Sequence, residues 1–131
     1  MKLLLDTHIW LWNFGTPDRL TRRVDRAIND PRNELWISPV STWEIAVLYD
    51  AGRLKLAQPL EAWLERAMSH APVHEAPLTY EIALATHSVH LPHRDPADRF
   101  LVATALVHGL TLVTADRNIG RTKQVNVLLN R

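Results

Sequence analysis

Cysteine is absent from this sequence of 131 residues. The absence excludes a disulfide framework and any metal site built on thiolates, and it suits a reducing compartment, so we expect a cytoplasmic protein. Only four glycines occur, and none follows the first apolar run, which argues against the glycine-rich turn of a dinucleotide-binding protein. No stretch approaches the roughly 20 apolar residues that a membrane helix needs, so no membrane association is expected. Asp6 and His8 interrupt the apolar start, which is therefore not read as a signal peptide.

Charge of one sign is not in excess either. Fifteen Lys and Arg residues face fourteen Asp and Glu residues, so the net charge of +1 does not by itself indicate nucleic-acid binding. A hydrophobic fraction of 47% with 22% charged residues is ordinary for a globular protein. The length predicts a single domain over residues 1–131.

Apolar runs of strand length alternate with segments of helical period. Strands are predicted over 2–5, 35–37, 73–76, 110–113 and 125–128, and helices over 19–29, 39–50, 78–88, 96–108 and a segment opening at Pro59. This alternation predicts right-handed crossovers, a parallel sheet and helices on both of its faces, which is an α/β fold. The order of the strands in the sheet does not follow from periodicity.

Two acids stand directly after apolar strands. Asp6 ends the run Leu3-Leu4-Leu5, whose lack of polar residues is typical of a strand buried on both faces. Asp116 follows the apolar strand 110–113 in the same way. Open α/β sheets place their ligands at the carboxyl ends of strands, so both acids are candidate site residues. A turn or helix cap before Arg117 is the alternative role for Asp116.

Glu44 interrupts an otherwise apolar helical stripe. The other members of that stripe are Val40, Val47, Leu48 and Ala51. A carboxylate on a buried face costs several kcal/mol unless a partner compensates it, which indicates a functional role. A capping box, in which Glu44 reaches back to the amide of Ser41, is the alternative, and it requires the helix to begin at Ser41 instead of after Ser38-Pro39.

Asp98 is the third residue of the helix that Asp95 caps and Pro96 opens. An acid there complements the helix dipole, which is a sufficient structural role. It also heads the apolar stripe Leu101, Val102 and Ala105, so it lies at the mouth of the core. Four acids at one edge of a parallel sheet would repel one another, and a divalent cation such as Mg²⁺ or Mn²⁺ removes that penalty. Such a cluster suits phosphoryl chemistry.

Four sequence blocks together resemble PIN-domain proteins, and most closely the VapC type, the toxin half of bacterial toxin–antitoxin pairs. The blocks are Leu4-Leu5-Asp6-Thr7, the segment Ser38 to Ile45 (SPVSTWEI), the segment His93 to Arg99 (HRDPADR), and Thr114-Ala115-Asp116. The resemblance implies a three-layer α/β/α fold with a five-stranded parallel sheet. It also implies a Mg²⁺- or Mn²⁺-dependent endoribonuclease that cuts RNA, a cognate antitoxin, and a homodimer.

Carried over by position, the acidic quartet of the family falls on Asp6, Glu44, Asp98 and Asp116. The resemblance implies that Asp6, Asp98 and Asp116 hold the metal and that Glu44 binds it or positions the attacking water. Thr7 and Thr114 match positions where the family often has a hydroxyl that holds a ligand or water. Residues that flank the acids are candidates for RNA contacts: Arg94, Arg99 and Arg117. A catalytically silent RNA- or protein-binding module is the alternative function.

Two clusters stay without an assigned role. Arg19, Arg22, Arg23 and Arg26 have the spacing of one helical face, which is compatible with a phosphate-binding stripe or a solvated surface. His87, His90 and His93 are spaced by three, but Leu91-Pro92 breaks the helix between them, so a shared metal role is disfavoured.

Overall fold

A central sheet of five parallel strands organises the fold in the computed structural model, which describes all 131 residues. The strands are β1 (Lys2–Leu5), β2 (Glu34–Ile37), β3 (Val73–Glu75), β4 (Thr111–Thr114) and β5 (Val127–Leu129). Their order in the sheet is β3-β2-β1-β4-β5, with every neighbouring pair parallel. The chain builds outward from β1 through β2 to β3 and then crosses to the other side of β1 for β4. The strand order therefore reverses between β1 and β4, which is where sheets of this kind bind ligands.

Helices cover both faces of the sheet. They are α1 (Thr7–Gly15), α2 (Arg22–Asn29), α3 (Pro39–Asp50), α4 (Leu60–His70), α5 (Tyr80–Ala85), α6 (Pro96–His108) and α7 (Arg117–Gly120), with 3₁₀ turns at Pro17–Arg19 and Thr86–Ser88. Their apolar side chains form two separate cores, one on each face. The α/β class, the five parallel strands and the three layers expected from the sequence are confirmed.

Alternating side chains of β1 supply both cores. Leu3 and Leu5 belong to the core that α1 to α4 cover, whereas Leu4 belongs to the core under α5 and α6. All three side chains are fully buried, each contributing about 1.5–3 kcal/mol of transfer free energy. Burial on both faces is the physical reason for the uninterrupted apolar run before Asp6.

Helix ends follow the capping residues in the sequence. The Ser38 hydroxyl accepts a hydrogen bond from the Val40 amide at 3.1 Å, and Pro39 is the first residue of α3. Ser41 consequently lies inside the helix and its amide donates to the Ser38 carbonyl, so the capping-box role for Glu44 is excluded. At the C-terminal end of α6, Gly109 adopts φ 65°, a left-handed conformation that favours glycine.

Two predicted helices need correction. The predicted helix 19–29 begins only at Arg22, because Leu20 is extended and the Thr21 hydroxyl accepts from the Val24 amide as the N-cap. The four-arginine spacing therefore does not lie on one helix. The predicted helix 78–88 is divided into α5 and the 3₁₀ turn at Thr86–Ser88. Neither α1, which is apolar nearly all round, nor the four-residue α7 has a period from which it could be predicted.

None of the helices has the length and hydropathy that crossing a lipid bilayer requires.

Candidate active site

The four acids singled out in the sequence line one cavity of about 340 Å³ at the carboxyl edge of the sheet. Asp6 follows β1 and Asp116 follows the neighbouring strand β4, while α3 and α6 contribute Glu44 and Asp98. The remaining lining residues are His8, Trp12, Asp95 and Ala115. Residues far apart in the sequence thus meet because adjacent parallel strands end at the same edge.

Asp6 is the most firmly held of the acids. It is only 7% exposed, and its amide donates to the Val113 carbonyl at 2.9 Å, which ties it to β4. One carboxylate oxygen accepts from the Thr7 amide and the other from the Thr114 hydroxyl, both at 2.6 Å. Burial raises the pKa of Asp6 above its ordinary value, and these hydrogen bonds oppose that effect. The side chain is therefore fixed in direction while its negative charge is destabilised.

The pKa of Asp98 is strongly raised by its position in the cavity. Burial comes first, followed by the repulsion of Asp95, Asp6, Asp116 and Glu44, and together they raise the pKa of Asp98 to about 8. A carboxyl group with such a pKa is protonated at neutral pH when no cation is near. A shift of this kind in a cleft is typical of a functional site.

Glu44 approaches the cavity from α3. The buried residues of this helix are Val40, Ser41 and Ile45, whereas Val47 is 47% exposed. The stripe that the sequence indicated therefore does not face the core along its whole length, and Glu44 lies at its half-buried margin. Its charge nevertheless raises the pKa values of both Asp6 and Asp98, which places it within electrostatic reach of them.

Two acids cap helices and also face the cavity. One oxygen of Asp116 accepts from the Asn118 and Ile119 amides at 2.7 and 3.4 Å, so the capping role is real, yet Asp116 also lines the cavity. Asp95 caps α6, as the sequence predicts, by accepting from the Ala97 amide at 2.9 Å. Sequence reasoning missed its second position, as a fifth acid on the cavity wall.

The two threonines differ in what their hydroxyls do. The Thr114 hydroxyl donates to Asp6 and accepts from the Asp116 amide at 3.0 Å, so it connects two of the acids. The Thr7 hydroxyl donates instead to Ser41 at 2.9 Å and joins α1 to α3. Of the polar groups of Thr7, only the backbone amide donates to the Asp6 carboxylate.

The three arginines that flank the acids differ in exposure and in hydrogen bonding. Arg99 donates from its guanidinium to the Val89 carbonyl at 3.0 Å, so part of its hydrogen-bonding capacity is used by the fold. Arg94 and Arg117 are exposed next to the acids in the sequence.

The four arginines Arg19, Arg22, Arg23 and Arg26 do not share one surface role. Arg22, Arg23 and Arg26 are exposed on α2, whereas Arg19 lies with its Cζ 4.6 Å from the centre of the Trp12 ring.

His93 is a neighbour of the cavity, which the spacing of the three histidines does not predict. Its Nε2 lies 3.4 Å from an oxygen of Asp98 and 4.0 Å from one of Asp116. His87 and His90 are exposed and do not join it. The proximity of His93 to Asp98 in the sequence was the available signal, but the path of the loop decides the contact.

A second groove, of about 550 Å³, adjoins the acidic cavity, since His8 and Trp12 line both. Three cations line it, namely Arg19, Arg53 and Lys55, and no acid does. The acidic cavity therefore lies beside this second groove, which we call the basic groove, and the Trp12 ring lies between the two. Sequence reasoning missed Arg53 and Lys55, which follow α3 in a loop without any periodic signal.

The donor set of the cavity fits a divalent cation. Carboxylate oxygens are the ligands that Mg²⁺ and Mn²⁺ prefer, and the raised pKa of Asp98 shows that negative charge is concentrated without compensation. One carboxylate oxygen each of Asp98 and Asp116 lies within 4.8 Å of the other, a span compatible with one shared ion.

Comparisons with known proteins agree with this geometry. The family model described as PIN domain matches residues 3–125. Ribonuclease VapC22 of Mycobacterium tuberculosis is 37% identical over 120 residues, which cover 89% of this chain and 88% of that protein.

Solved structures show the same fold. A DNA-bound VapBC from Salmonella typhimurium has a TM-score of 0.69 at 19% identity, covering 100% of this chain and 99% of that chain. A toxin–antitoxin complex from Klebsiella pneumoniae has a TM-score of 0.66 at 19% identity, covering 98% of each chain. With the family model spanning nearly the whole sequence and a VapC relative above 30% identity, this chain belongs to the PIN-domain family and, within it, to the VapC type.

Proposed function

We propose that this protein is a metal-dependent endoribonuclease that acts as the growth-inhibiting toxin of a toxin–antitoxin pair. The observation that carries the proposal is the convergence of Asp6, Glu44, Asp98 and Asp116 on one cavity, where burial and the repulsion of neighbouring acids destabilise the charges of Asp6 and Asp98. The similarity to a protein named as a ribonuclease supports RNA as the substrate.

The reaction is hydrolysis of a phosphodiester bond by in-line attack of water. A bond forms between the water oxygen and phosphorus, and the bond from phosphorus to the leaving oxygen breaks. When bound, Mg²⁺ or Mn²⁺ supplies Lewis-acid stabilisation of the charged phosphoryl oxygens and acidifies water. Asp6, fixed by Thr7 and Thr114, would hold it together with Asp98 and Asp116. Glu44, less constrained at the margin of α3, is suited to orient the attacking water or to complete the ligand set.

Removal of metal tests the proposal directly. We expect the purified protein to cut RNA in the presence of Mg²⁺ or Mn²⁺, to lose all cutting in EDTA, and to recover it when either cation is added back. Denaturing gels of a defined RNA measure the products. Cutting that persists in EDTA would contradict metal dependence, whereas RNA binding without cutting under any of these conditions would favour a silent binding module.

RNA contacts are proposed for the basic groove beside the cavity. Arg53 and Lys55 are exposed there, and the Trp12 ring stands between the groove and the acids. Cations beside an aromatic ring are the usual combination for single-stranded nucleic acid, because they hold phosphates while the ring stacks on a base. Exposed Arg94 and Arg117, which flank the acids in the sequence, are further candidates.

Replacing Arg53 and Lys55 together by Ala is expected to weaken RNA binding about tenfold near physiological salt and to reduce the salt dependence by roughly one to two released ions. Cleavage at saturating RNA changes much less, since neither residue lies in the acidic cavity. Filter binding across salt concentrations measures the effect. The matched control is the double change Arg22→Ala and Arg26→Ala, which removes the same charge from the exposed face of α2. Equal losses in both double variants would contradict a specific role for the groove.

An antitoxin partner, a homodimer and a cytoplasmic location are proposed as well. The toxin–antitoxin complex from Klebsiella pneumoniae shares the fold, which supports an antitoxin partner. Exposed apolar side chains on α5 and α6, namely Tyr80, Leu84 and Leu106, are available for contacts between chains. Sedimentation velocity measures the assembly, and a monomer at micromolar concentration would contradict the dimer.

A further inference from the structure

His93 lies beside the acid cluster with one ring nitrogen in an unusual state. Its Nε2 is buried and has no hydrogen-bond partner. The nearest acceptor, an oxygen of Asp98, is 3.4 Å away, about half an ångström longer than a charge-assisted hydrogen bond. A buried polar group of this kind costs about 1–3 kcal/mol unless it is satisfied in another state of the site.

The other ring nitrogen decides what Nε2 can do. His93 Nδ1 accepts a hydrogen bond from the Asp95 amide at 3.3 Å. A neutral imidazole that accepts at Nδ1 carries its hydrogen on Nε2. A histidine that ligates metal through Nε2 normally has the opposite arrangement, with Nδ1–H donating to an oxygen. The Asp95 amide, at the N-cap of α6, therefore presents His93 as a donor toward the acids and disfavours it as a ligand.

We propose that His93 is a positioning residue of the metal centre, whose Nε2–H donates to the carboxylates of Asp98 and Asp116 from outside the ligand shell. The inference rests on the proposed metal-dependent function and deepens it. Asp98 and Asp116 come from different elements, α6 and the β4–α7 junction, and His93 is within 4.0 Å of an oxygen of each. In the metal-bound site a single donor between them would hold both oxygens in place. Hydrogen bonds to ligating carboxylates commonly change metal affinity 10- to 100-fold.

The experiment measures Mn²⁺ binding without RNA, by calorimetry and by electron paramagnetic resonance. His93→Leu removes the donor and is expected to weaken Mn²⁺ binding about 10- to 100-fold. His93→Gln keeps an N–H near the position of Nε2 and is expected to bind Mn²⁺ within about threefold of the wild type. The matched control is His87→Leu, at an exposed position in a 3₁₀ turn, which should bind as the wild type does. Thermal unfolding of each variant verifies the fold.

In the wild type, electron spin-echo envelope modulation of bound Mn²⁺ shows whether His93 is itself a metal ligand or only donates to the ligands. This measurement does not depend on the behaviour of the variants. We expect no strong coupling to a directly coordinated ¹⁴N. Such a coupling, or unchanged Mn²⁺ affinity in a folded His93→Leu variant, would overturn the inference about His93 and leave the proposed function standing. No Mn²⁺ binding by the wild type would overturn the proposed function and the inference with it.

Discussion

Asp6→Asn is expected to reduce RNA cleavage by at least about 10³-fold. Asp6 is the acid at the centre of the sheet, with its carboxylate fixed from both sides by Thr7 and Thr114. The change leaves the shape of the side chain intact but removes the charge that would hold the cation. Metal catalysis contributes several kcal/mol of transition-state stabilisation, and each 1.36 kcal/mol lost is about tenfold in rate.

The same change should not unfold the protein. Burial makes the charged form of Asp6 unfavourable, since its pKa is raised, so a neutral amide is at least as stable in that position. Single-turnover cleavage measures the rate, and thermal unfolding verifies the fold. Asp18→Asn, at an exposed position in the 3₁₀ turn after α1, is the matched control and should cleave as the wild type does. Induced expression should slow growth with the wild type but not with Asp6→Asn; equal cleavage by both proteins would refute the proposed centre.

Asp98→Asn is expected to stabilise the metal-free protein at about pH 8 by several kcal/mol while abolishing cleavage. The pKa of Asp98 is about 8 in the fold against 3.8 as the ordinary value. Between those two values the folded protein holds a proton that the unfolded chain has lost, so the free energy of unfolding of the wild type falls as pH rises. Asn does not titrate and escapes this loss, and the advantage of the variant falls to roughly a third at about pH 5 and disappears only below the ordinary pKa of 3.8.

Metal should reverse that order of stability. Mn²⁺ binds the folded wild type and stabilises it by mass action, whereas the variant lacks one of the proposed ligands. Chemical denaturation at about pH 5 and pH 8, with and without Mn²⁺, measures all four values. An Asp98→Asn advantage that is the same at both pH values would show that the acid does not titrate as the cavity requires. The control is Asp18→Asn, whose exposed carboxyl should show no pH-dependent difference.

The fold could be predicted where one physical signal dominates. Apolar runs such as Leu3-Leu4-Leu5 have no other explanation than burial on both faces, and Ser38-Pro39 and Gly109 fix helix ends by local chemistry. Strand order is different in kind, because it depends on how crossovers pack on the sheet. The position of Asp116 beside Asp6 follows from the pairing of β1 with β4, which no local pattern contains.

The acids of the site could be proposed from sequence because a carboxylate after a buried strand is costly without a purpose. The remaining parts of the site depend on loops. His93 reaches the acids through a turn that ends at Asp95, and Arg53 and Lys55 follow α3 in a segment without secondary structure. The sequence offers helix capping and a site role as alternatives for Asp116. In the structure one oxygen of Asp116 caps α7 while the residue also faces the cavity.

The long separation between Asp6 and its hydroxyl donor has a consequence for synthesis of the protein in the cell. Asp6 leaves the ribosome early, but the Thr114 that holds it comes 108 residues later, together with Asp116. Until β4 has been translated and inserted beside β1, the nascent chain has no assembled acid cluster. The acid cluster, and any chemistry that depends on it, therefore forms only once β4 has paired with β1.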